Sequence, residues 1–121
     1  MGYDIDFGEY FLFDELTTHL QGMAESHSSF ASLESLGKSW QGRDVWCMTL
    51  TNPETGSHDS KPAFYIDGHI HAEEVTTSHT AMYSIWYLVN NYGTDDDVTW
   101  LLDNMSFYII PRINPDGAEI S

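Results

Sequence analysis

Residues 67–75 of this chain, Asp-Gly-His-Ile-His-Ala-Glu-Glu-Val, have the types and spacing of a metal site. They follow an apolar run, residues 63–66, that predicts a β-strand, and they begin a helical pattern. In such a turn, His71 leaves the strand and Glu74 falls in the first helical turn, so imidazole and carboxylate can converge on one ion. Zinc accepts this ligand pair, and a catalytic zinc commonly has two His, one carboxylate and a water. We therefore predict that His71 and Glu74 are metal ligands, although the helix macrodipole alone also favours an acid at Glu74.

Three motifs, taken in order, resemble a known family. Residues 37–45 read Gly-Lys-Ser-Trp-Gln-Gly-Arg-Asp-Val, residues 65–74 read Tyr-Ile-Asp-Gly-His-Ile-His-Ala-Glu-Glu, and residues 111–117 read Pro-Arg-Ile-Asn-Pro-Asp-Gly. Together they are similar to the N-terminal part of the catalytic domain of zinc carboxypeptidases of the carboxypeptidase A type, peptidase M14. The resemblance runs from about Phe11 to the last residue.

The resemblance implies a function and a set of roles. His71 and Glu74 would be the first two zinc ligands, Zn²⁺ the cofactor, and a peptide with a free C-terminus the substrate, which loses its C-terminal amino acid to a metal-activated water. The third ligand, the general-base Glu and the groups that hold the substrate carboxylate are expected beyond residue 121. Residues 1–121 are therefore expected to be a single, incomplete catalytic domain that is inactive or nearly inactive alone. Some relatives carry Arg between the two ligands, where this chain has Glu73.

Two other functions fit the same residues. In a strand, residues two apart point to one side, so His69 and His71 together could bind a metal as in barrel-type amidohydrolases. The chain could also be a truncated, non-catalytic interaction module, because two protein ligands hold zinc only loosely.

Composition limits the partners. Four Lys and Arg against nineteen Asp and Glu give a formal charge of −15, so nucleic acids and anionic membranes are not expected to bind. The N-terminal residues lack the basic and apolar regions of a signal peptide, and the compartment stays open. Cys47, the single cysteine, lies in an apolar run and is predicted to be a packed strand residue rather than a nucleophile.

The periodicity predicts an α/β fold with a mixed β-sheet flanked by helices. Residues 11–27 have helical spacing, residues 33–38 and 45–50 form an antiparallel hairpin, and residues 63–66 form a third strand buried on both faces. Helical patterns follow at residues 75–89 and from Thr94, which is the predicted N-cap of a short helix. Residues 105–113 form the fourth strand, whose edge is expected to be uncovered and to allow self-association.

Three further features carry specific expectations. His79 lies on the apolar stripe of its helix, about 140° round from Glu74, and is predicted to be a hydrogen-bonded packing residue rather than a ligand. His58 is predicted to be a solvated loop residue. Residues 114–117, Asn-Pro-Asp-Gly, have the composition of a turn beside the predicted site.

Overall fold

The computed structural model describes residues 2–71 and 75–120. Its regular elements, in chain order, are α1 (Phe13–Ser26), β1 (Ala31–Lys38), β2 (Asp44–Leu50), β3 (Ala63–Asp67), α2 (Val75–Asn91), α3 (Asp96–Asn104), β4 (Ser106–Ile110) and α4 (Pro115–Ile120). Two single-turn 3₁₀ helices, Pro53–Thr55 and His58–Ser60, occupy the predicted loop between β2 and β3. The four strands form one mixed sheet in the order β1-β2-β4-β3. The predicted fold class, a mixed sheet with helices packed against it, is confirmed.

The first two strands form the predicted antiparallel hairpin. Ala31 pairs with Leu50 at one end and Lys38 with Asp44 at the other. The connecting turn is closed by a 2.7 Å hydrogen bond from Ser39 N to the Arg43 carbonyl oxygen. β1 begins two residues before the predicted start, because its first residue, Ala31, packs into the core and continues the ladder.

The pairing of β3 with β4 determines where the predicted metal site lies. β4 pairs antiparallel with β2 and parallel with β3, with Ala63 opposite Ser106 and Asp67 opposite Ile110. The parallel pair follows from the crossover through α2 and α3, since parallel neighbours need a long connection. The carboxyl ends of β3 and β4 therefore lie side by side.

One apolar core joins the helices to the sheet. Its fully buried side chains come from three helices and from alternate positions of the two central strands: Leu16, Leu20 and Met23 of α1, Met82, Ile85 and Val89 of α2, Leu102 of α3, and Met48, Leu50 and Ile109 of the sheet. Burying each such side chain contributes about 1.5–3 kcal/mol relative to exposure. The core holds the helices against the sheet and fixes where β3 ends.

The prediction that β3 is buried on both faces is wrong. β3 is an outer strand of this sheet, and Phe64 and Tyr65 are 50% and 55% exposed. β4 lies between β2 and β3, so the edge strands of this four-stranded sheet are β1 and β3, and not β4. An apolar strand is buried only where other strands and helices cover it. In this chain, the order of the strands in the sheet leaves β3 partly uncovered. Self-association through the sheet edge stays a prediction, now for β3.

The N-cap of α3 also differs from the prediction. The side chain of Asp95, not Thr94, accepts hydrogen bonds from the backbone N–H groups of Asp97 and Val98, at 2.9 and 3.1 Å. Thr94 instead donates its hydroxyl to the Asn91 carbonyl at 3.2 Å, in the turn after α2. Both residue types are good caps, so the register of the turn selects between them.

Cys47 occupies the position predicted for it. The thiol is buried in β2, and this burial, with the nearby charge of Glu34, raises its pKa and disfavours the nucleophilic thiolate. Among the helices that the structure describes, none is long and apolar enough to cross a membrane.

Candidate metal centre

His71 lies just beyond the carboxyl end of β3, and its side chain is exposed. In open α/β sheets, ligands bind outside the carboxyl ends of the strands, so this is the expected place for a site. The other predicted ligand, Glu74, and its neighbour Glu73 lie outside the described residues.

Gly68 brings the end of β3 close to two other backbone segments. Its N–H donates to the Ile110 carbonyl at 3.0 Å, and its own carbonyl accepts from Ile113 N at 3.0 Å. A Cβ at this position would lie 2.6 Å from the carbonyl oxygen of Thr77 and 3.1 Å from that of Pro111. Only glycine lets the strand end, helix α2 and the segment after β4 approach this closely. A glycine at the end of a strand run was the available sequence signal.

The Asn-Pro-Asp-Gly segment starts a helix rather than forming an isolated turn. Asn114 precedes α4, and its side-chain oxygen accepts from the Gly117 N–H at 3.0 Å, which is the geometry of an N-cap. Pro115 occupies the first helical position, where its missing N–H costs nothing. The prediction of a turn was too limited, because the same residue types also begin helices.

Asn114 also holds the segment that leads to His71. Its backbone N–H donates to the His69 carbonyl at 3.2 Å, and its side-chain amide donates to the Ile70 carbonyl at 3.3 Å. The helix start after β4 is thereby bonded to the two residues that precede the predicted ligand.

Asp116 connects this helix start to the β1–β2 turn, a link that was not predicted from the sequence. Its carboxylate accepts hydrogen bonds from Ser39 Oγ at 2.7 Å, Gln41 N at 2.9 Å and Arg43 Nη1 at 2.9 Å. Partial burial tends to raise the pKa of this carboxyl, but the three hydrogen bonds and the guanidinium charge outweigh it and hold the pKa below its ordinary value. The carboxylate is therefore ionised at neutral pH. The occurrence of Arg43 and Asp116 in two of the three sequence motifs was the feature that could have indicated this link.

Arg112 is the second feature that sequence reasoning did not single out. Its side chain is only 5% exposed, donates through Nη2 to the Phe11 carbonyl at 2.8 Å, and lies 3.8 Å from the Glu119 carboxylate. Burial lowers the pKa of the guanidinium, and the charge of Glu119 opposes that shift. The residue ties the segment before α1 to the segment after β4.

The alternative His-x-His metal pair does not match this geometry. His69 is buried, with 1% of its surface exposed, whereas His71 is exposed. The two residues follow β3 rather than belonging to it, and His69 has a φ of 59°, so strand alternation does not place their rings on one side. A left-handed histidine was not foreseeable from the sequence pattern.

His79 and His58 both make contacts that support the structure. His79 Nε2 lies 2.8 Å from the Phe7 carbonyl, and the ring packs among the aromatic rings of Phe7, Tyr10 and Phe11, which confirms the prediction of a packing residue. His58 is exposed, as predicted for a loop, but its Nδ1 also makes a 2.8 Å hydrogen bond with the Tyr108 hydroxyl.

The donor set can be compared with the needs of zinc. An exposed imidazole is a ligand that zinc prefers, so His71 fits. Across residues 2–71 and 75–120 there is no cluster of three or more His, Cys, Asp or Glu that could hold a metal ion. The described part of the chain thus provides His71 but no complete set of three ligands, and Glu74 would be a second ligand.

The family model for zinc carboxypeptidases, Peptidase M14, matches residues 16–121 of this chain. The chain belongs to the zinc carboxypeptidase family. Carboxypeptidase B of Astacus astacus is 38% identical over 113 residues, which are 93% of this chain and 35% of that protein. The inactive metallocarboxypeptidase ECM14 of Saccharomyces cerevisiae is 32% identical over 115 residues, which are 95% of this chain and 27% of that protein.

Solved structures support the zinc carboxypeptidase fold. The crystal structure of thrombin activatable fibrinolysis inhibitor superposes with a TM-score of 0.85 at 24% identity, covering 94% of this chain and 28% of that one. Carboxypeptidase A from Helicoverpa armigera gives 0.80 at 24% identity, covering 94% and 27%. At this identity the likeness concerns the fold. The chain spans between about a quarter and about a third of the length of these two relatives and two solved structures.

Proposed function

We propose that this chain supplies His71 and Glu74, two zinc ligands of a metallocarboxypeptidase that removes C-terminal amino acids from peptides with a free C-terminus. The observation that carries the proposal is the position of His71, exposed beyond the carboxyl end of β3 and beside the start of α4. Family membership supports the cofactor and the reaction type.

The role of each residue follows from its chemistry. When bound, zinc would polarise the substrate carbonyl and lower the pKa of a water, so that hydroxide is available to attack that carbonyl near neutral pH. His71 would bind through a neutral ring nitrogen and Glu74 through an ionised carboxylate. The peptide substrate would lie at the carboxyl end of β3, where the side chain of His71 is open to solvent. The general base and the third ligand are assigned to no residue of this chain.

Zinc binding is the first expected result. The 121-residue chain should bind zinc weakly, because two protein ligands are fewer than the three or four of a stable site. His71→Ala and Glu74→Gln should each remove most of the binding in calorimetry. Affinity should fall as the pH is lowered, because protons compete with the metal ion for the imidazole and the carboxylate. His27→Ala, which removes a histidine at the end of α1, is the control. Equal zinc affinity in His71→Ala and the control would show that His71 does not bind the ion.

Peptidase activity is the second expected result. A chain extended along its reading frame to the family's full length should hydrolyse a blocked dipeptide with a free C-terminal carboxylate, whereas residues 1–121 alone should show little or no turnover. His71→Ala in the longer protein should lower kcat/KM more than about 100-fold, since it removes a ligand and not merely an outer partner. Comparable turnover by the long and short chains would contradict the assignment of missing groups.

The same assay decides a second candidate function. One matched relative is named an inactive metallocarboxypeptidase, so family membership is compatible with a non-catalytic role. A longer protein that binds zinc through His71 but hydrolyses no peptide would favour the interaction module over the enzyme.

A further inference from the structure

The β1–β2 turn makes a polar contact with α4 across more than seventy residues of sequence. Arg43 and Asp116 form an ion pair of 2.9 Å, with side chains 29% and 17% exposed. Ser39 and the backbone of Gln41 bond to the same carboxylate. Hydrogen bonds between ionised groups that are shielded in this way are stronger than those of an exposed pair. The first turn of α4 is thereby fixed to the hairpin.

The first turn of α4 holds the chain just before His71. Gly117 N bonds to the Asn114 side-chain oxygen, which orients that amide toward the Ile70 carbonyl. Asn114 N bonds to the His69 carbonyl. These contacts form a continuous series from Asp116, through the helix start, to the two residues that precede His71.

His71 requires such support because it lies beyond the strand ladder. The β3–β4 pairing ends at Asp67 and Ile110, and His69 adopts a left-handed backbone conformation. The His71 side chain is exposed, so packing in a core does not orient it. The bonds from Asn114, together with the 2.7 Å hydrogen bond from His69 N to Thr77 Oγ1, therefore hold the backbone that leads to His71. Misplacing a site group by about 1 Å can cost about 100-fold in rate.

We propose that Arg43 and Asp116 are positioning residues for His71, acting through Asn114 at the start of α4. The inference rests on the proposed function for the metal role of His71, but the orientation of the imidazole can be measured without metal. Neither residue is expected to touch zinc or substrate.

The test follows the imidazole C–H signals of His71 by NMR in the metal-free 121-residue chain, identified by their absence in His71→Ala. In Arg43→Ala these signals should move toward those of a free histidine, and the zinc Kd should rise about tenfold, as for other supporting groups around metal ligands. Arg43→Lys, which retains the charge, should give intermediate values. Lys38→Ala removes one positive charge from the same hairpin, where Lys38 pairs with Asp44 at 3.0 Å, and should leave both readouts unchanged.

Two results would overturn the proposal. The first concerns Arg43→Ala: its Gln41 amide signal shows that the contact with Asp116 is broken, but the His71 signals and the zinc Kd keep their wild-type values. The other is an equal change in Lys38→Ala, which would indicate a general charge effect. Asp116→Asn serves as the second variant if Arg43→Ala does not fold, and should shift the His71 signals in the same direction. If the wild-type chain binds no zinc, the proposed function fails, and the metal-free His71 signals still decide the positioning role.

Discussion

Gly68→Ala should lower the free energy of unfolding by about 3 kcal/mol, a large loss for a substitution that adds one carbon. The added Cβ would lie 2.6 Å from the Thr77 carbonyl oxygen and 2.8 Å from its carbonyl carbon. Both atoms belong to backbone, which cannot rotate away as a flexible side chain does. Relief therefore requires β3 or α2 to shift, at a point where Gly68 is held by hydrogen bonds to Ile110 and Ile113.

The measurement for Gly68 is urea unfolding followed by circular dichroism, with Gly8→Ala as the matched control. A Cβ at Gly8 would meet only the side chain of Asp6, at 3.0 Å, which can turn away. The control should therefore change stability by less than about 1 kcal/mol. A Gly68→Ala protein as stable as this control would show that the close approach of β3 and α2 is not rigid.

Arg112→Ala should destabilise the protein by about 3–5 kcal/mol. The substitution removes the donor to the Phe11 carbonyl, at 2.8 Å, and leaves a cavity where a buried side chain stood. It also leaves the partly buried carboxylate of Glu119 without its cationic neighbour. The hydrogen bond and the cavity lie away from water, so solvent replaces little of what is removed there.

Lys38→Ala is the control for Arg112 because it breaks an ion pair of better geometry in a more exposed place. Lys38 Nζ lies 3.0 Å from Asp44, against 3.8 Å in the buried pair, but the Lys38 side chain is 64% exposed. Exposed pairs contribute about 0–1 kcal/mol. Thermal or urea unfolding of both variants should separate them clearly. Similar losses would mean that the Arg112 environment is more hydrated than its burial indicates.

Local patterns were sufficient for the individual elements. Apolar residues at helical spacing predicted α1 and α2, and the Trp-Gln-Gly turn between two short strands predicted the hairpin, because side-chain periodicity and turn chemistry depend on near neighbours in sequence. The same reasoning identified Cys47 and His79 as packed residues. The three motifs at residues 37–45, 65–74 and 111–117 together identified the family, and the second of them predicted His71 and Glu74 as ligands.

Local patterns were insufficient wherever the outcome depended on which elements meet. The run of residues 63–66 has the composition of a buried strand, but the order β1-β2-β4-β3 leaves Phe64 and Tyr65 exposed at the sheet edge. Residues 114–117 have the composition of a turn, but Asn114 caps a helix. In both cases several structures suit the same residue types, and neighbours distant in sequence select one.

The sequence by itself determined most of the helices and strands, the family and the two candidate ligands, since the elements depend on consecutive residues and the family on three short motifs. Only the tertiary structure decided which contacts hold together the segments after β3 and β4: the glycine that lets three backbone segments meet, the buried Arg112, and the ion pair of Arg43 with Asp116. These contacts join residues 9 to 101 positions apart. Their formation depends on strand order and on the crossover through α2 and α3, which no local pattern specifies.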